Sequence, residues 1–172
     1  MTSLFIPLHR ICWVAAIALS ASQAAHAQTA SVKELLVGTW TMNAADAVRA
    51  DASRASLFGA NPKGTMIFTA DGHFALIQMR AELPRIAANN RDQGTPEEYK
   101  SIVSGSIAYY GTYTLDEAAK TMVLQLDGST YANLLGGEQK RIITTLTADE
   151  LIFTNPRNPA GMTLEVGWKR RR

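Results

Sequence analysis

Downstream of residue 38 the chain alternates apolar and polar positions with a period of two, the spacing of strands that bury one face and wet the other. The clearest case is the last segment: Met162, Leu164, Val166 and Trp168 share one face, and Thr163, Glu165, Gly167 and Lys169 the other. Near the start, Gly38 to Met42 places Trp40 and Met42 together against Thr39 and Thr41. Runs at 64–69 and 73–80 flank Ala70-Asp71-Gly72, a hairpin signal because Asp-Gly supplies the tight turn. Further strands are predicted at 106–114, 121–127, 139–146, 151–154 and 162–169. Two segments depart from the period. Ser31 and Glu34 form a capping-box pattern before Leu35 to Val37, which predicts a short helix stopped at Gly38. Thr95, Pro96 and Glu98 repeat the pattern ahead of Tyr99, Ile102 and Val103, an apolar stripe at helical spacing, so a helix is predicted over 96–104 and ends at Gly105. Residues 43–63, Ala-rich and polar, read as a long loop, and 81–94 and 128–137 as irregular connections.

Eight strands joined mostly by short turns make a meander, and a meander leaves two bare edges unless it closes. Eight is also the number at which a closed sheet just encloses a core or a small ligand. The predicted fold is all-β: an eight-stranded antiparallel up-and-down barrel with a short N-terminal helix and one inserted helix, Trp40 and Trp168 lying on its inner side.

Composition adds a compartment and removes several chemistries. Arg10, the apolar run Ile11 to Leu19, and Ala25-His26-Ala27 make residues 1–27 a signal peptide cleaved after Ala27, leaving residues 28–172 as one domain in the periplasm or outside the cell. No stretch reaches the length of a transmembrane helix. Cys12, His9 and His26 leave with the signal, so the mature chain has His73 and no thiol. That removes disulfides and thiolate chemistry and leaves neither a second imidazole nor a thiolate from which to build a zinc site. No metal or cofactor is expected. His73, beside the Asp71-Gly72 turn, reads as a solvated strand end rather than a haem ligand or base. Of 17 basic residues one is in the signal and four are the terminal Lys169 to Arg172, leaving 12 against 15 acidic, so no basic face is predicted for nucleic acid. A monomer or weak dimer is expected.

Gly38-Thr39-Trp40 after a short helix resembles the first-strand G-x-W of lipocalins. In combination and order, Phe58 to Gly64, Thr69 to Gly72, Gln78 to Arg80, Gly94 to Tyr99 and Ile107 to Tyr113 resemble the bacterial lipocalin-like domain family, mostly of unassigned function, over nearly all of Leu35 to Lys169. The resemblance implies a lipocalin-like barrel with the tryptophan closing its floor under a basic side chain, here Lys169 or Arg170. It also implies histidines on the strand after the Tyr-rich one and an aromatic in the next connection. This chain has Leu124-Gln125 and Leu134 there, so a polar or catalytic role at those positions would be lost or narrowed to something apolar.

Candidate ligand contacts follow from the inward face. Tyr109 and Tyr113 flank Gly111, which either leaves room for a ligand or separates two core rings. Gln78 and Arg80 continue the face of Leu76. Arg80 is the first choice of anchor if it points inward and an ordinary solvated cation if the strand ends at the rim. Phe68, Leu76, Leu124, Leu126 and Phe153 would supply apolar lining, and the 96–104 helix, through Tyr99, would either lid the mouth or pad the wall. The mouth would lie among 43–63, 80–94 and this helix. The leading reading is binding of a small hydrophobic or amphipathic molecule. The alternatives are an isomerase- or cyclase-type enzyme for an apolar metabolite, with Arg80 or a tyrosine polarising a carbonyl, and a filled barrel serving as a structural or partner-binding module of the envelope.

Overall fold

The computed structural model describes residues 30–156 and 162–172. The signal and cleavage site expected within residues 1–27 lie outside them. Ser31 caps α1 (Val32–Leu36) with both halves of the capping box in place, and the chain then enters β1 (Gly38–Val48). There follow β2 (Arg54–Ser56), β3 (Lys63–Phe68), β4 (His73–Met79), α2 (Pro96–Gly105), β5 (Ser106–Asp116), β6 (Thr121–Ser129), a 3-10 turn at Ala132–Leu134, β7 (Glu138–Leu146), β8 (Glu150–Thr154) and β9 (Thr163–Arg170). All pairings are antiparallel, and β9 returns to pair with β1, so β1 and β3 to β9 close an eight-stranded barrel. β2 hangs from the part of β1 that β3 does not reach.

The 43–63 segment differs from the expected loop. β1 runs on to Val48 because β9 pairs with it from Ala44 opposite Gly167 to Val48 opposite Thr163. Ring closure supplies ladder hydrogen bonds that outweigh the poor strand propensity of Asn, Ala and Asp. A bulge between Met42 and Ala44 changes the parity, so Trp40, Met42, Ala45 and Ala47 are all buried and Asp46 stays outside. There Arg54 bridges Asp46 (3.5 Å) and Glu165 (2.6 Å).

One end of the barrel is sealed. Trp40 is fully buried and donates its indole N–H to the Leu36 carbonyl at 2.9 Å. The Arg170 guanidinium lies 4.2 Å from the centre of its ring and donates to the carbonyls of Val37 (2.9 Å), Leu35 and Ala148. Of the two basic candidates, then, Arg170 covers the tryptophan, while Lys169 points outward to Glu150 at 2.7 Å. Gly38 adopts φ +136°, and a Cβ there would lie 2.5 Å from the Arg170 guanidinium, so both conformation and space require glycine. Trp168 is equally buried, but its N–H has no partner among the described residues. Trp40→Phe is therefore expected to cost about 1 to 2 kcal/mol more than Trp168→Phe, because one swap orphans a carbonyl and the other removes an unsatisfied donor. Paired urea titrations check this; equal losses would contradict it.

Candidate functional site

Above the sealed end the interior is filled by rings. Phe68 meets Tyr113 edge-on at 5.0 Å and Phe74 at 6.3 Å, and Phe74 meets Tyr109 at 6.0 Å. Gly111 sits opposite Phe74 in the ladder, and a Cβ on it would lie 2.0 Å from the Gln125 carbonyl oxygen. The glycine thus answers to a close strand approach at the β5–β6 bulge, and Tyr109 and Tyr113 on either side of it pack against Phe74 and Phe68. Tyr113 donates to the Thr69 carbonyl at 2.8 Å, and burial, then the nearby Asp71 carboxylate, raise its hydroxyl above the ordinary value.

Beyond these rings the barrel opens into a cavity of about 270 Å³. Ala45, Ile107, Phe153, Leu164 and Val166 form its apolar wall, with Leu57, Phe58, Tyr131 and Leu134 completing it. Leu57 and Tyr131 are 38% and 51% exposed and mark the opening. Five polar side chains join them: Gln78, Tyr109, Gln139, Arg141 and Asn155. Strand alternation places them, since Gln139, Arg141 and Ile143 share the inner face of β7 as Phe74, Leu76 and Gln78 share that of β4. Arg141 is only 5% exposed; it donates to the Lys140 carbonyl (2.8 Å) and the Tyr109 hydroxyl (3.4 Å), and its guanidinium is 5.9 Å from the Phe153 ring. Among the described residues no acidic side chain lines the cavity and none pairs with Arg141. Asn155 Oδ1 is buried and has no hydrogen-bond partner among the described residues.

The model of a lipocalin-like domain family matches residues 37–170. The chain belongs to this lipocalin-like family. Among solved structures it is similar to a lipocalin-like protein from Bacteroides uniformis, with 13% identity, TM-score 0.44, and 80% of this chain and 99% of that one covered. It is also similar to a de novo designed fluorescence-activating β-barrel, at 10% identity and TM-score 0.42, and to a redesigned β-barrel bound to DFHBI, at 18% and 0.39. Each covers 83% of this chain and 100% of its own. No match was found among curated proteins.

Of the residues read from the sequence, the lipocalin-like barrel brings Gln78, Tyr109 and Phe153 to the cavity. Phe68, Leu76, Tyr113 and Leu124 are buried but do not line it, serving in the packed core. Arg80 is placed elsewhere. The strand ends at Met79, one residue earlier than expected; Arg80 is exposed, its N–H bonds the Gly105 carbonyl, and its aliphatic stem lies over Gly105. Tyr99 ties down the connection before α2: its hydroxyl donates to the Arg91 carbonyl (2.9 Å) and accepts from the Gly94 N–H (2.7 Å). Glu98 does similar work, accepting from the N–H groups of Thr95 and Ala87 at 2.8 and 2.9 Å, and those bonds hold its carboxyl below the ordinary value. No residue of α2 lines the cavity. Ile102 and the 69% exposed Val103 border a separate groove of about 620 Å³ that shares Phe58, Ile107 and Tyr131 with it, so the stripe expected to bury Val103 leaves it in solvent. His73 lies at the hairpin turn, 3.3 Å from Asp71, away from the cavity. Arg141, Gln139 and Asn155 are the polar cavity groups that sequence reasoning passed over, along with apolar Ala45 and Leu57.

Proposed function

We propose that this lipocalin-like barrel is an exported binder of a small apolar or amphipathic molecule held in the interior cavity. One observation carries the reading: a barrel sealed and filled at one end keeps a largely apolar space of about 270 Å³ at the other, about nine water volumes, beside half-exposed Leu57 and Tyr131. A barrel shaped only for packing would close this space, since interiors otherwise leave few voids larger than a water. Export rests on the leader in residues 1–27. The test is titration with the neutral fluorophore 1-aminoanthracene, expected to bind with enhanced emission. Ala45 is 1% exposed on the cavity wall, and Ala45→Phe puts a ring into the space. It is expected to weaken the probe by about tenfold or more, the scale of a lost apolar contact surface, with the far-UV spectrum unchanged. Undiminished binding in Ala45→Phe would remove the cavity as the site.

A further inference from the structure

Resting on that reading, we infer that the molecule held in the cavity is a small monocarboxylic acid whose carboxylate pairs with Arg141. A guanidinium carries five N–H donors and a charge that cannot be shed. Here it is 5% exposed and spends its geometry on one carbonyl and one phenol. Burying such a charge is costly unless a counter-charge meets it, and the described residues supply none. The guanidinium fork matches a carboxylate through two parallel hydrogen bonds. Among the described residues Arg141 is also the only cation lining the cavity, since neighbouring Lys140 is exposed on the opposite face of β7. One fixed positive charge against an apolar wall selects a monoanion with an apolar body over a phosphate dianion. Gln78 and Gln139 line the same space without side-chain hydrogen bonds to other described residues, so their amide N–H groups can donate to the same oxygens. Charge thus fixes one end of the ligand. Ala45, Ile107, Leu164 and Val166 receive the other.

The test compares octanoate with octanol, equal in chain length and different in charge, by calorimetric titration of the full-length protein. Octanoate is expected to bind about tenfold to a hundredfold more tightly, the range for hydrogen bonds to charged groups. Arg141→Met should abolish that preference and leave octanol within about threefold. The variant should fold, because it removes a buried charge without orphaning a carboxylate. If it does not, Arg141→Lys, which keeps the charge and loses the fork, is expected to show a reduced preference. Equal affinity of octanoate and octanol for the wild type, or a preference that survives at position 141, overturns the carboxylate assignment. Binding of 1-aminoanthracene with neither probe retained also overturns it and leaves the cavity reading standing. Failure of all three ligands overturns both.

Discussion

Gly111→Ala is expected to lower the stability of the barrel by at least about 3 kcal/mol, the scale of overpacking against groups that cannot yield. The added methyl would sit 2.0 Å from the carbonyl oxygen of Gln125 and 2.9 Å from the amide nitrogen of Asp127. Both are backbone atoms of the neighbouring strand, so no side-chain rotation relieves the clash. The strands must part at the bulge between Tyr110 and Gly111, and Phe74, packed opposite, must move with them. At slopes typical of a domain this size, the urea midpoint should fall by about 1 to 2 M. An unchanged midpoint would show that β5 and β6 can shift apart without cost, contrary to the packing described.

Arg170→Met is expected to cost about 3 kcal/mol. The guanidinium makes three hydrogen bonds to the carbonyls of Leu35, Val37 and Ala148 and covers the Trp40 ring. Charge-assisted bonds contribute about 1.5 to 3 kcal/mol each when buried, less here because Arg170 is partly exposed, and the ring contact adds about 0.5 to 2. Calorimetry should show a melting temperature lower by about 6 to 12 °C. Arg170→Lys should recover little of this, because a single ammonium cannot span three carbonyls set around a flat fork. Full rescue by lysine would mean that charge alone, without the fork, holds the end shut.

The fold was legible where local chemistry and tertiary demand agree. Asp71-Gly72, the two capping boxes, and the alternation around Trp40 and Trp168 each state their structure within a few residues. The extension of β1 to Val48 has no such signal, because Asn43 to Val48 is a strand only through what lies beside it. The site was harder for the same reason. Parity correctly placed Leu76 and Gln78, but Arg80 falls one residue past the end of the sheet. On β7 the apolar residues Ile142 and Leu146 suggest the opposite face from the one used. A bulge between Ile143 and Thr145 switches parity, so Ile143 and Leu146 both pack on the core while Ile142 stays 42% exposed and Arg141 turns in. An irregularity of one residue decided which cation faces the interior.

The seam between β1 and β9 sets the order in which the molecule can be finished. Arg170 reaches back 133 positions to Val37, and β9, which pairs with Trp40, follows every other described strand in the chain. A nascent chain therefore holds the pairings from β3 through β8 before it holds the piece that shuts the cylinder, and pairings so distant in sequence form slowly. Until β9 arrives, β1 presents an unpaired border, the state in which a foreign strand can take the place reserved for its own.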